Sequence, residues 1–190
     1  MIEEQKIFIE CYSFKQMKFK EIVIELKKFD SSKKYSDVQR LYEECKEKRT
    51  EVQKIRKKFT KERQKDNKDF KTFYDWYREE KTKNICDYCA ISQEELKLIF
   101  PLKIPLNYEL KIKSGDSPKR ASGTLEIERK DSENNSYHVD NLILACPLCN
   151  NAKSNLIDEK SWRELFVQPM RNYYEKLLKR PLKFSIPLSK

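Results

Sequence analysis

Phe19, Ile22, Val23, Leu26 and Phe29 recur at steps of three and four residues, which places them on one face of a helix. The polar run Asp30-Ser31-Ser32-Lys33-Lys34 interrupts this pattern and reads as a connecting loop. Ser36 stands three residues before Gln39, the spacing of a capping box, so a second helix is expected to open there. Val38, Cys45, Val52 and Phe59 then follow a seven-residue step, with Leu41 and Ile55 as companions, and predict one long helix. Lys48 and Glu62 break the seam, so the pattern does not demand a coiled coil. The rings of Phe70, Phe73, Tyr74, Trp76 and Tyr77 follow closely and are expected to pack against the module downstream. Residues 1–83 thus read as a helical N-terminal region.

Beyond residue 84 the pattern changes. Ser92-Gln93-Glu94-Glu95 has the form of a capping box and predicts a short helix. Pro101, Pro105, Pro118, Gly115 and Gly123 mark residues 100–124 as loop, with a short strand expected near Glu109–Lys113. Leu125-Glu126-Ile127-Glu128 alternates apolar and acidic side chains, as a strand does, and Leu142-Ile143-Leu144-Ala145 reads as a second short strand. A helix is expected to begin at Asn150-Asn151-Ala152-Lys153. Residues 158–190 form a C-terminal extension, helical over 158–180 with an interruption near Gln168-Pro169, then extended from Pro181. The whole is an α+β chain, mostly α.

Composition narrows the function. The chain has 190 residues, 38% of them charged, and a net charge of +10. Residues 1–85 carry 24 basic and 17 acidic side chains, and residues 86–190 carry 17 and 14, so the helical half supplies more of the attraction to a polyanion. Seven bases lie between Lys54 and Lys65, among them Arg56, Lys57 and Lys58, against the single acid Glu62. Such a run serves either as a solvated helix face or as a phosphate contact. With two glycines there is no phosphate-cradling loop, and with one histidine no site that needs two imidazoles. No run of about eighteen apolar residues occurs, so no membrane association is expected. The first residues lack a basic segment followed by an apolar one, so a cytoplasmic location is expected.

Four of the six cysteines form two pairs, Cys86-Asp87-Tyr88-Cys89 and Cys146-Pro147-Leu148-Cys149. A C-x-x-C turn sets two sulfurs on one side of a tight loop, and two such turns complete an all-thiolate shell that suits a structural Zn²⁺. A disulfide framework and a redox pair are the alternatives. The first is disfavoured in a reducing compartment, and the second does not come in two copies. Between the pairs, Glu126 and Glu128 are expected on one strand face, and Asn150 directly follows the last cysteine. These oxygen donors read either as ligands for a hard divalent ion or as surface acids and a capping asparagine.

The segment Cys86-x-x-Cys89, then Leu125-Glu-Ile-Glu-Arg-Lys-Asp131, Tyr137, and Asn141-Leu-Ile-Leu-Ala-Cys146-Pro-Leu-Cys149-Asn-Asn-Ala-Lys153 resembles the HNH endonuclease family. The likeness covers about Cys86 to Asn155, a little over a third of the chain. It implies a zinc-stapled ββα-metal core over residues 84–157, flanked by helices on both sides. It further implies that Cys86, Cys89, Cys146 and Cys149 hold zinc, and that Glu128 and Asn150 hold a catalytic Mg²⁺ or Mn²⁺. Asn141 would brace the loop, and Lys153, with Lys119 and Arg120, would meet phosphates. The family's base histidine normally follows the strand carboxylate, where this chain has Arg129. Arginine stays protonated, with a pKa above about 12, and is suited to clamp a phosphate instead. His138, the only imidazole, reads either as the base or as an ordinary loop residue. The resemblance implies an endonuclease hydrolysing phosphodiester bonds, with double-stranded DNA as partner and a bacterial or phage-related defence role by association. Two other readings remain: a non-catalytic zinc module binding nucleic acid, and a subunit docking a protein partner through its N-terminal helices.

Overall fold

A computed structural model describes residues 1–67, 69–99 and 123–186. The strand expected near residues 109–113 and the phosphate contacts expected of Lys119 and Arg120 lie outside the described residues. The fold is mostly helical, with one small two-stranded antiparallel sheet among the described residues. The chain divides into two compact units, Met1–Tyr77 and Arg78–Lys190.

The first unit is built from α1 (Glu3–Ile9), α2 (Phe19–Phe29), α3 (Tyr35–Glu44), α4 (Lys46–Arg56), α5 (Lys61–Asp66) and α6 (Phe70–Lys83) as far as Tyr77. A wider π-type turn, Glu10–Phe14, continues α1. Phe8, Ile9, Cys11, Ile22, Leu26, Val38, Leu41 and Cys45 form one buried cluster. Cys11 and Cys45 are therefore core thiols, and burial pushes both up in pKa. Glu4 pairs with Lys33 at 2.6 Å and with Arg40 at 3.3 Å, joining α1 to the α2–α3 loop and to α3.

Several expectations are corrected here. Ile22 and Leu26 are buried, but Phe29 is exposed, because α2 ends at that residue and Asp30 is extended. The second helix is capped at Lys34 rather than Ser36: the Lys34 N–H donates to Asp37 Oδ2 at 2.8 Å. The single long helix is broken at Cys45, whose ψ of 16° leaves the helical range. Arg49 Nε donates to the Tyr42 carbonyl at 2.8 Å and stacks 3.3 Å from the Tyr42 ring centroid, so a side chain enters the backbone ladder at the break. The aromatic cluster serves the first unit. Phe70 and Tyr74 pack on Phe14, with centroids 5.6 and 4.9 Å apart, and Phe73 stacks on Phe59 at 5.2 Å.

The second unit contains α7 (Gln93–Ile99), β1 (Glu126–Arg129), β2 (Leu142–Ala145), α8 (Pro147–Lys153), α9 (Glu159–Leu165) and α10 (Val167–Leu178). The capping box before α7 forms as expected: the Ser92 N–H donates to Glu95 Oε2 at 3.0 Å, and the Glu95 N–H donates to Ser92 Oγ at 3.1 Å. The two expected strands pair antiparallel, with Glu126 opposite Ala145 and Glu128 opposite Ile143. Gln93 ties α7 to the approach to β1, accepting from the Leu125 N–H at 2.9 Å and donating to the Gly123 carbonyl. Two helix boundaries move. α8 opens at Pro147, three residues before the expected start, because proline suits a first turn whose N–H groups lack helical partners. The C-terminal interruption falls at Phe166, and Pro169 sits in the first turn of α10, where its missing donor costs nothing. Among the described residues no helix is long and apolar enough to cross a membrane.

Glu95 is the polar anchor of this unit. Its buried carboxylate accepts from Arg180 Nη1 at 2.9 Å and from the Lys183 N–H at 3.1 Å. Burial works to raise its pKa, but hydrogen bonds from Ser92, Lys183 and Arg180 outweigh it and hold it below the usual carboxylate value. A depressed pKa stabilises the fold fully above the unfolded value, and that contribution disappears as pH falls through the folded value. Glu95→Gln is expected to cost about 1–3 kcal/mol near neutral pH, with the gap to wild type closing in acid. Urea denaturation at several pH values measures this, and a gap independent of pH would count against it.

Candidate metal centre

Each cysteine pair is shaped by local hydrogen bonds. In the first, the Cys86 N–H donates to the Ile91 carbonyl at 2.8 Å and the Ala90 N–H donates back to the Cys86 carbonyl at 3.0 Å, closing a tight turn. Ala90 ends that turn in the left-handed region, at φ 63°, a conformation that costs a residue with a Cβ about 1 kcal/mol. In the second pair Cys146 caps α8, and its Sγ accepts from the Cys149 N–H at 3.3 Å. The Asp87 N–H donates to the Leu144 carbonyl on β2 at 2.9 Å, fastening the first turn to the strand that leads into the second.

The four sulfurs converge. All are buried, their Sγ atoms lie within 4.8 Å of one another, and no disulfide links them. Cys89 Sγ and Cys146 Sγ are 3.8 Å apart. A disulfide would hold them at about 2.05 Å, whereas a tetrahedron with Zn–S distances of about 2.3 Å has edges of about 3.8 Å. The cluster is thus able to coordinate a metal ion, and four buried soft donors with no open position fit a structural Zn²⁺. Against burial, hydrogen bonding among the four sulfurs draws Cys86 well below its ordinary pKa while Cys89 and Cys149 are pushed well above theirs, so the cluster shares protons unevenly.

The C-terminal helices contribute residues that no local pattern marked. Arg163 of α9 donates to Asp87 Oδ2 at 2.6 Å and to the Asp87 carbonyl at 3.2 Å, and its guanidinium lies 4.9 Å from the Tyr88 ring centroid. Trp162 packs edge-on to Tyr88 at 6.1 Å. From α10, Arg171 reaches the Cys89 carbonyl at 3.4 Å, and the Tyr174 hydroxyl lies 3.3 Å from Cys146 Sγ. The spacings Glu159/Arg163 and Arg171/Glu175 were visible as i,i+4 pairs, which explains a helix but not its partner.

A polar face adjoins the cluster. Glu126 and Glu128, two apart on β1, meet Asn150 and Lys153, three apart on α8, because both spacings return to one face of their element. Asn150 Nδ2 donates to Glu126 Oε2 at 2.6 Å, and Lys153 Nζ lies 3.6 Å from Glu128 Oε1. Lys153 is fully buried, and its ammonium also reaches the Arg129 carbonyl and Ser132 Oγ, each at 3.3 Å. Burial raises the Glu128 carboxyl above its usual pKa, against the pull of Lys153 and Arg129.

The remaining candidates are placed as follows. Asn141 braces the loop between the strands: its Oδ1 accepts from the Asp131 N–H at 2.9 Å, and its Nδ2 donates to the carbonyls of Asp131 and Ser136, each at 2.8 Å. Arg129 donates to Asn135 Oδ1 and, at 3.3 Å, to Asn155 Oδ1, with its guanidinium 4.8 Å from the Tyr137 centroid. His138 Nδ1 accepts from the Asp140 N–H at 3.4 Å and caps the 3₁₀ turn Val139–Asn141. In the first unit the half-buried Arg56 donates to the carbonyls of Ser13 and Phe14 and lies 3.8 Å from the Phe70 centroid, so its charge serves the fold. Lys57 and Lys58 are exposed.

No family model matches this chain, nor does any curated protein or solved structure.

Purified protein is expected to carry close to one zinc per chain by elemental mass spectrometry. Cys146→Ser should lose the metal and, with it, the far-UV dichroism of the second unit, since metal binding and folding are coupled. Metal-free wild-type protein with an unchanged spectrum would remove the site.

Proposed function

We propose that this chain is a zinc-stapled module, HNH-like in its ββα arrangement, that binds nucleic acid, with zinc in a structural role. One observation carries the choice: the position where the family resemblance puts a catalytic cation is already served by the protein's own groups. The buried Lys153 ammonium lies 3.6 Å from Glu128 Oε1. A divalent ion arriving at Glu128 comes close to this buried ammonium, and the like-charge repulsion opposes its binding. Arg129 replaces the family's base with a group that cannot accept a proton. What supports a polyanionic partner is the net charge of +10 together with exposed bases such as Lys57 and Lys58.

Metal-dependent hydrolysis of DNA is the second reading, favoured by the convergence of Glu126, Glu128 and Asn150 on one face. A carboxylate only accepts hydrogen bonds, so Glu126 takes the NH₂ of Asn150 and leaves Asn150 Oδ1 directed elsewhere, as a ligand oxygen must be. In this reading Glu128 and Asn150 would hold Mg²⁺ or Mn²⁺, and Arg129 would clamp the phosphate. A defence role belongs to this reading through the family association alone.

Affinity for a labelled DNA duplex is expected to fall roughly tenfold or more between about 50 and 200 mM salt, measured by fluorescence anisotropy. An affinity insensitive to salt would defeat the electrostatic part. Supercoiled plasmid with Mg²⁺ or Mn²⁺ should remain intact. Nicking that disappears in Glu128→Ala, with zinc content and fold retained, would replace binding by hydrolysis.

A further inference from the structure

Four thiolates around one divalent ion leave two negative charges in excess, and at this site they are fully buried. Charge of that kind is tolerated only where hydrogen-bond donors point at the sulfurs. Among the described residues, two N–H or O–H donors reach Cys146. One is the Cys149 N–H, at 3.3 Å, supplied by the same turn. The other comes from far along the chain: the Tyr174 hydroxyl on α10, also at 3.3 Å. Tyr174 is 3% exposed, so water does not compete for that proton. One helical turn earlier, Arg171 reaches the Cys89 carbonyl, so the same stretch of α10 touches both cysteine pairs.

We propose that Tyr174 is a positioning residue for zinc. Its O–H donates to the Cys146 sulfur, fixes the orientation of that ligand and couples the hold on the metal to the docking of α10. This rests on the zinc reading above and is independent of whether the chain cleaves DNA. The C-terminal helix is on this view part of the metal centre.

The test is Tyr174→Phe, which keeps the ring and removes only the hydroxyl. Competition with a chromophoric chelator is expected to show zinc held roughly 10–100-fold more weakly. In cobalt-substituted protein the sulfur-to-metal charge-transfer band should shift. Val167→Ala, which trims a buried side chain at the start of α10, seven residues before Tyr174, is expected to lower thermal stability and leave that band in place. Identical affinity and spectrum in wild type and Tyr174→Phe overturn the proposal, as does an equal band shift in Val167→Ala. If Tyr174→Phe does not fold, wild-type protein loaded with an NMR-active cadmium isotope answers the question. A slowly exchanging Tyr174 hydroxyl proton correlated with the metal is expected, and its absence overturns the proposal. Wild-type protein that takes up neither zinc nor cobalt would instead defeat the zinc reading itself.

Discussion

Four buried thiols facing one another are the constraint around which the second unit is organised. Thiolates in a dry site repel, and without a cation they can only share protons among themselves. A metal ion held there would turn that repulsion into a crosslink between two turns 57 residues apart in sequence, whose Cys89 and Cys146 sulfurs lie 3.8 Å apart. The rest of the unit follows from holding those turns still. Asp87 is fastened to β2, β2 runs into Cys146, and α8 grows out of the second turn. Among the described residues the sheet has two strands of four residues, too little to stand alone in water.

The polar face on β1 and α8 inherits its geometry from the second cysteine turn. Because Cys146 and Cys149 lie in the capping residue and first turn of α8, Asn150 and Lys153 are carried in fixed rotation toward β1. Glu126 and Glu128 meet them as two matched pairs rather than as a scatter of surface acids. Lys153 is the informative member. A fully buried ammonium is stable only with oxygen partners, and it finds them in Glu128, the Arg129 carbonyl and Ser132.

The first unit follows a different logic. Its core is an ordinary apolar cluster of helix faces, and two of its arginines are consumed internally. Arg49 stacks on Tyr42 and Arg56 on Phe70, each also donating to backbone carbonyls. A large basic count therefore overstates the charge available to a partner, because stacked guanidinium groups act as packing elements.

Much of the local chemistry was legible in the order of residues. Two C-x-x-C pairs announce a four-cysteine cluster able to hold a metal, alternation announces β1, and the Ser92–Glu95 spacing announces the start of α7, because each is decided within a few residues of backbone. Other features depend on neighbours in space. The break at Cys45 arises from the reach of Arg49 back to Tyr42, and Phe70, Phe73 and Tyr74 are claimed by Phe14 and Phe59. Lys153 is withdrawn from solvent by Glu128, and Tyr174 finds a sulfur 28 residues upstream. Periodicity reports that a side chain will be buried, but not what it will be buried against. That is settled only when distant segments compete for the same contact.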